Sequence, residues 1–183
     1  MVGNLKSVAV YCGHQMGKDP QFKRDAAAVG RMLAKNGIRM VFGGGDVGLM
    51  GTVATAALKN GGEVIGVSTR DVIAMQEPAH EEIEVQVVDG VNERKQIMFE
   101  ESDAFIILPG GIGTLNELSD ILTMQQIGET HKPLFFLNTN GFWNQLTRLV
   151  NHMKKNGFIV KTDNYNIFHA DTVVELKKQI LKY

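Results

Sequence analysis

One ten-residue stretch, residues 108–117 (LPGGIGTLNE), combines the residue types that a phosphate site and an acid–base group require. Glycine lets backbone N–H groups approach an anion closely, and a helix that begins after the glycines directs its positive end at the same anion. Glu117 follows Thr114 by three residues and lies about one turn into that helix, where its carboxylate can face a bound ligand. The stretch therefore predicts a phosphate site with a carboxylate beside it.

The pair Arg94-Lys95 is a second group that could do chemistry. The sequence places both residues in the first turn of a helix over 91–102, just before an apolar strand. In a parallel sheet such a helix begins at the edge where the strands end, which is the edge where ligands bind. Positive charge at the start of a helix opposes the helix dipole and is favourable only beside an anion or an acidic partner. We therefore expect Arg94 and Lys95 to lie near Glu117.

A further glycine loop, residues 43–48 (GGGDVG), also follows a predicted strand. Its G-x-G-x-x-G spacing is a weak indicator of dinucleotide binding, and it belongs to the second βα unit instead of the first. Glu63 falls at the wrong end of its strand to bind a ribose, whereas Asp71 lies nearer the right edge. A nicotinamide-dependent oxidoreductase therefore stays open as an alternative.

The elements that must position these groups alternate along the whole chain. Strands are predicted over 7–12, 38–42, 63–67, 83–88, 103–108 and 133–137. Helices are predicted over 21–36, 49–60, 91–102, 113–127, 142–156 and 172–182. Such alternation is typical of right-handed crossovers and of a parallel sheet with helices on both faces. We predict one α/β domain over residues 1–183, with a Rossmann-like doubly wound parallel sheet.

Composition argues against several classes of protein. The 19 basic and 20 acidic side chains leave a net charge of −1, so no overall positive field favours nucleic acid. The single cysteine, Cys12, excludes an internal disulfide and is predicted to be buried, and the five histidines lack the spacing of a metal site. No apolar run approaches the roughly 18 residues of a membrane span, and the N-terminus lacks a signal sequence. We predict a cytoplasmic protein with no membrane partner.

Ordinary structural roles compete for the same residues. Thr114 and Glu117 fit the T-x-x-E spacing of a capping box, in which the two side chains bind backbone N–H groups at a helix start. The run Glu93-Arg94-Lys95 matches a solvated helix face. The residues alone leave both interpretations open.

Taken together, the two glycine motifs and the Arg94-Lys95 pair resemble the LONELY GUY (LOG) family. Its members are cytokinin riboside 5′-monophosphate phosphoribohydrolases, often mislabelled lysine decarboxylases. The similarity extends over nearly the whole chain and includes GGG-x-x-GLMG at 43–51 and PGG-x-GT-x-x-E at 109–117. The resemblance implies that Arg94 and Glu117 are catalytic, that no organic cofactor or metal is needed, and that the protein is a homodimer with its site near the interface.

The implied reaction splits a nucleoside 5′-monophosphate, AMP or a cytokinin riboside monophosphate, into free base and ribose 5-phosphate. Positive charge develops on the ribose in such a reaction, and a carboxylate can stabilise it or activate water. Ionised Glu117 is predicted to do so, while Arg94 orients the ribose or offsets charge on the departing base. The predicted substrate-binding residues are Lys95, Gly43, Gly44, Gly45, Gly110, Gly111, Gly113 and Thr114.

Three segments depart from the family pattern. The family's M-H-x-R-K, C-G-S-S and I-P are replaced here by Val91-Asn92 before the R-K pair, by Cys12-Gly13-His14-Gln15, and by Ser68-Thr69. These positions line the substrate end of the site in relatives, so the preference for a particular base or phosphate is left open. A binding protein resembling molybdenum-cofactor carriers stays as the alternative. Lysine decarboxylation is not predicted, because no residue pattern indicates a lysine that anchors pyridoxal phosphate.

Overall fold

A computed structural model describes residues 5–75, 79–159 and 164–183 of the chain. The strands are β1 (Ser7–Tyr11), β2 (Arg39–Phe42), β3 (Val64–Thr69), β4 (Val85–Val88), β5 (Ala104–Ile107), β6 (Leu134–Leu137) and β7 (Ile167–Ala170). The helices are α1 (Pro20–Lys35), α2 (Gly48–Leu58), α3 (Arg70–Met75), α4 (Val91–Glu100), α5 (Ile112–Ile127), α6 (Asn144–Lys155) and α7 (Val173–Ile180), with a 3₁₀ turn at Thr139–Gly141. None of the helices in the described ranges has the length and apolar character of a membrane span; the cytoplasmic location stays a prediction.

The seven strands form one parallel sheet in the order β4-β3-β2-β1-β5-β6-β7, which confirms the predicted α/β fold. From β1 the chain winds outward to β4, and from β5 it winds outward in the opposite direction to β7. The winding reverses between β1 and β5, where Tyr11 is paired with Ile107. In open α/β sheets such a reversal opens a crevice beyond the carboxyl ends of the strands, where ligands bind.

Helices cover both faces of the sheet, as the apolar strands predict. Successive side chains of β1 point to opposite faces, so this strand contributes to two cores. Val8 and Val10 pack in a core with α1, α2 and α7, which also holds the buried Cys12. Ala9 and Tyr11 pack in the other core, with α4 and α5. Arg94 and Glu117 belong to the helices on this second face.

Two elements of the fold are not predicted by the sequence pattern. One is β7, a four-residue edge strand whose Phe168 stacks on Phe135 at 4.9 Å between ring centroids. Its sequence, Ile-Phe-His-Ala, does not alternate between apolar and polar residues, so no strand period is visible. The other is α3, which is only six residues long. The predicted helix over 142–156 begins later, at Asn144, because a 3₁₀ turn with Asn140 at φ 52° precedes it.

Candidate active site

The loop between β5 and α5 forms an open cradle of backbone N–H groups. Gly111 is the N-cap of α5, and a glycine has no side chain with which to bind the helix amides. The first N–H groups of a helix lack partners within the helix, so this end of α5 can bind an anion. A Cβ added to Gly111 or Gly113 would meet nothing within 4 Å, whereas at Gly110 it would lie 2.1 Å from the Thr114 hydroxyl oxygen. The outer glycines are thus open, while Gly110 is packed.

The loop after β1 lies directly beside this cradle. The Gly13 N–H donates to the carbonyl of Pro109 at 3.0 Å, and the Gly13 carbonyl accepts from the Leu49 N–H at 3.1 Å. These two bonds join the loop after β1 to the loop after β5 and to the first turn of α2, at the point where the winding of the sheet reverses. A cavity of about 170 Å³ lies between the first loop and the cradle, and its lining includes Phe22 and Phe142.

Arg94 is buried and fixed from three sides. Its side chain is only 10% exposed, although it lies near the start of α4. Nε donates to the Val67 carbonyl at 2.9 Å, and Nη1 donates to Glu117 Oε1 at 3.2 Å. A Cβ on Gly43 would lie 2.2 Å from Nη2, so the guanidinium packs directly against the glycine backbone. The solvated-face interpretation of Arg94 is therefore wrong.

Glu117 is equally buried, with 10% of its side chain exposed. Burial raises the pKa of Glu117 to about 7, against the opposing effect of the Arg94 charge. The capping-box interpretation is wrong, because α5 begins at Ile112 and Thr114 lies inside the helix instead of at its N-cap. A carboxyl group with a pKa near neutrality can exchange a proton during a reaction at physiological pH.

Lys95 ties α4 to α5 beside this pair. Its Nζ lies 2.6 Å from Asp120 Oδ2 and donates to Asn116 Oδ1 at 3.0 Å. A cavity of about 230 Å³ opens between the two helices. It is lined by Tyr11, Asn92, Lys95, Gln96, Phe99, Glu117, Asp120, Ile121 and Met124.

Tyr11 lines this cavity and was not among the predicted site residues. Burial, and then the negative charge of Glu117, raise the pKa of Tyr11 above its ordinary value. Its hydroxyl therefore remains protonated beside Glu117 at neutral pH. The available signal was its position at the carboxyl end of the first strand, the edge where ligands bind.

Several known proteins resemble this chain over most of its length. The model of a family described as "Possible lysine decarboxylase" matches residues 50–180. A cytokinin riboside 5′-monophosphate phosphoribohydrolase of Rhodococcoides fascians is 42% identical over 155 residues, which is 84% of this chain and 78% of that protein. The chain belongs to the LOG family. The LOG1 enzyme of Arabidopsis thaliana, with the same activity in its name, is 36% identical over 98% of this chain and 84% of its own length.

Two solved structures with the same fold are of proteins named for the molybdenum cofactor. The molybdenum cofactor carrier protein of Chlamydomonas reinhardtii superposes with a TM-score of 0.72 at 19% identity, over 97% of this chain and 98% of that protein. The molybdenum cofactor binding protein of Rippkaea orientalis gives 0.66 at 23% identity, over 95% and 96% of the two chains. At these identities the likeness shows the fold alone.

The triple glycine of this LOG-family chain lies behind Arg94. Gly43, Gly44 and Gly45 are all buried. Gly44 has a φ of 84°, and a Cβ there would lie 2.7 Å from a methyl carbon of Val85. Gly45 forms an antiparallel bridge with Ala79. The loop packs against the guanidinium. Direct contact of these glycines with a substrate stays a prediction.

Two of the three departures from the LOG pattern face cavities. His14 and Gln15 line the cavity beside the cradle, and Asn92 lines the cavity beside Glu117. The third departure, Ser68-Thr69, is buried, and the Thr69 hydroxyl accepts from the Val72 N–H at 3.2 Å. Replacements at the two cavities are therefore placed where they can alter the choice of substrate.

Proposed function

We propose that this protein hydrolyses the N-glycosidic bond of a nucleoside 5′-monophosphate, AMP or a cytokinin riboside 5′-monophosphate, to free base and ribose 5-phosphate. The observation that carries the proposal is the buried pair of Arg94 and Glu117, 3.2 Å apart, beside the amide cradle of α5. Relatives that cover most of this chain are named as phosphoribohydrolases of this kind.

The cradle holds the 5′-phosphate in this proposal. The N–H groups of Gly111, Gly113 and Thr114 supply hydrogen bonds, and the positive end of the α5 dipole attracts the anion. Gly111 and Gly113 have open space where a Cβ would stand, so phosphate oxygens can approach the backbone closely. Because Glu117 lies about one turn further along α5, a ribose attached to that phosphate reaches the carboxylate.

Glu117 acts as the ionised carboxylate at the ribose carbon that bears the base. Cleavage breaks the bond between this carbon and the base nitrogen, and the carboxylate stabilises the positive charge that develops on the sugar. It then accepts a proton from the attacking water as the new C–O bond forms. The departing base takes up a proton from the solvent, and Glu117 afterwards returns its own proton to the solvent. The raised pKa of about 7 makes Glu117 a better proton acceptor than an ordinary carboxylate.

Arg94 positions Glu117 and favours its ionised form. The guanidinium donates to the Val67 carbonyl and packs against the backbone of Gly43, so its hydrogen bond to Glu117 has a fixed direction. An arginine that is fixed in this way can also orient the ribose or offset charge on the departing base. Lys95 supports the arrangement by holding α4 against α5.

We also infer that the protein acts as a homodimer whose second copy helps to enclose the site. Ile112, at the start of α5, is 82% exposed, and Leu115 on the next turn is 39% exposed. Apolar side chains beside an open cavity favour a partner surface, because burying them removes water from the reacting centre. The mass of the purified protein in solution, by light scattering, tests this inference.

A panel of nucleotides tests the proposed reaction. We expect the purified protein to release free base and ribose 5-phosphate from AMP or isopentenyl-AMP, and no base from adenosine, because the cradle then lacks its phosphate. Chromatography of the reaction mixture measures both products. Tight binding of AMP without release of base would instead support a carrier function, and binding of NAD(P)H would support an oxidoreductase.

The pH dependence of the reaction follows from the pKa of Glu117. Since burial raises that pKa to about 7, the carboxyl group is mostly protonated at pH 6 and mostly ionised at pH 8. We expect kcat/KM to be half-maximal near pH 7 and to fall about tenfold for each pH unit below it, because kcat/KM reports the ionisation of the free enzyme. A rate that falls as the pH rises through 7 would assign the protonated form of Glu117 to the reaction instead.

A further inference from the structure

His80 is a buried ionisable side chain that the proposed reaction does not use. Its side chain is 3% exposed, and its Nε2 lies 3.2 Å from Asp46 Oδ1 and 3.0 Å from the Thr55 hydroxyl oxygen. On the other side of the ring, Nδ1 accepts from the Glu82 N–H at 3.2 Å. Because Nδ1 accepts a hydrogen bond, the ring proton is on Nε2, and it is directed at Asp46 and Thr55.

The backbone around His80 clamps the triple-glycine loop. The His80 N–H donates to the Gly44 carbonyl at 3.0 Å, and the preceding residue, Ala79, bridges to Gly45. With the side-chain contact to Asp46, residues 79–80 therefore touch three consecutive positions of the loop. The His80 ring also forms a T-shaped contact with Phe42, the last residue of β2, with 6.3 Å between ring centroids.

The loop that residues 79–80 hold packs directly against the Arg94 guanidinium. A Cβ at Gly43 would lie 2.2 Å from Arg94 Nη2, so the loop backbone sets how far the guanidinium can retreat from Glu117. Three consecutive glycines have far more backbone freedom than other residues, and contacts from outside the loop must restrict them. His80 and Ala79 provide such contacts within the described part of the chain.

We propose that His80 is a positioning residue for the hydrolysis: through Asp46 it fixes the triple-glycine loop, and the loop fixes the Arg94 guanidinium opposite Glu117. The inference rests on the proposed function and deepens it. The contacts of His80 with Asp46 and Gly44 connect it to Arg94 through residues 43–46.

Variants that break the His80–Asp46 contact test this role, because loss of a positioning residue is expected to lower kcat and to leave KM nearly unchanged. We expect His80→Leu and Asp46→Ala each to lower kcat by roughly 10- to 100-fold with KM within about twofold, because displacing a catalytic group by about 1 Å can cost 10²-fold in rate. The double variant is expected to match the single ones, since both break the same contact. Asp46→Asn keeps an acceptor for Nε2 and is expected to keep most of the activity.

Thr55→Val is the matched control. It removes the second Nε2 contact, the one to α2, and leaves the loop contacts in place. We expect its kcat to stay close to that of the unchanged protein, even where its thermal stability falls. Equal losses of kcat in Thr55→Val and Asp46→Ala would show that His80 acts only through packing, and would overturn the proposal. A loss confined to KM would overturn it as well, because the loop would then bind substrate directly.

A spectroscopic readout separates this proposal from the proposed reaction. The Nε–H of Arg94 donates to the Val67 carbonyl in a buried site, so nuclear magnetic resonance should show it as a slowly exchanging signal. We expect Asp46→Ala to shift this signal and speed its exchange, and Thr55→Val to leave it unchanged. An unchanged signal in Asp46→Ala overturns the positioning role, whereas absence of base release by the unchanged protein counts against the reaction alone.

Discussion

Replacement of Glu117 by glutamine is expected to remove almost all base release while nucleotide binding persists. Glutamine keeps the size of the side chain and a partner for Arg94 Nη1, but it can neither carry the negative charge nor accept a proton from water. Loss of a positioned acid–base group lowers rates by on the order of 10²–10⁴-fold. Single-turnover release of adenine from AMP measures the loss, and calorimetry measures the binding of AMP.

Glu93→Gln is the matched control for this change. Glu93 lies on α4 next to Arg94, but it is exposed and its carboxylate accepts from the Asp89 N–H at 3.2 Å. We expect this variant to release base at the rate of the unchanged protein. If Glu117→Gln turns over as fast as Glu93→Gln, the carboxylate of Glu117 has no part in the chemistry.

Replacement of Arg94 by alanine is expected to impair both binding and turnover. The change leaves Glu117 without the positive neighbour that opposes its burial, so the pKa of Glu117 rises further and less of the ionised form is present at neutral pH. Loss of one preorganised donor in an active site typically lowers kcat by about 10²–10³-fold. We expect a loss of at least that size, measured as kcat and KM across a pH series.

Two further variants, Arg94→Lys and Arg24→Ala, serve as comparisons for Arg94→Ala. Lysine keeps the charge but cannot bind the Val67 carbonyl and Glu117 together with a planar fork, so it should restore little of the rate. Arg24 is an exposed arginine of α1 that donates to Gln21, and its loss should not alter turnover. Normal kinetics in Arg94→Ala, in a variant shown to be folded by its thermal unfolding, would remove Arg94 from the site.

The edge of the sheet that carries the site could be predicted from the sequence because strand order and direction constrain where loops meet. Residues 94 and 117 are separated along the chain by β5 and by the glycine motif. Their approach to 3.2 Å nevertheless follows from a helix that precedes β5 and another that follows it. No local pattern was needed beyond the apolar strand and the glycines.

The roles of individual residues within that edge could not be read from local patterns. The T-x-x-E spacing fits a capping box only if Thr114 is the N-cap, and the N-cap of α5 is Gly111, three residues earlier. A run of three glycines indicates a close approach of backbone to something, but the sequence does not say whether that neighbour is a ligand or a side chain. At Gly43 the neighbour in the structure is Arg94.

His80 illustrates a second limit of the sequence. The spacing of His80 from its partners Asp46, Thr55 and Glu82 follows no motif. The contact with Asp46 depends on residues 79–80 lying against the loop that follows β2. Tyr11 is different, because its place at the end of β1 was visible and its relevance depends only on the strand order.

The burial of Glu117 also has a thermodynamic consequence for the whole chain. A carboxyl group whose pKa is higher in the native state than in the denatured chain adds to stability at acidic pH, and this contribution disappears as the solution is made more alkaline through about pH 7. Ionisation of the buried Glu117 therefore lowers the free energy of unfolding, and this loss is complete only above about pH 7. The ionised carboxylate that the proposed reaction requires is obtained at the expense of folding free energy, which the rest of the structure must supply.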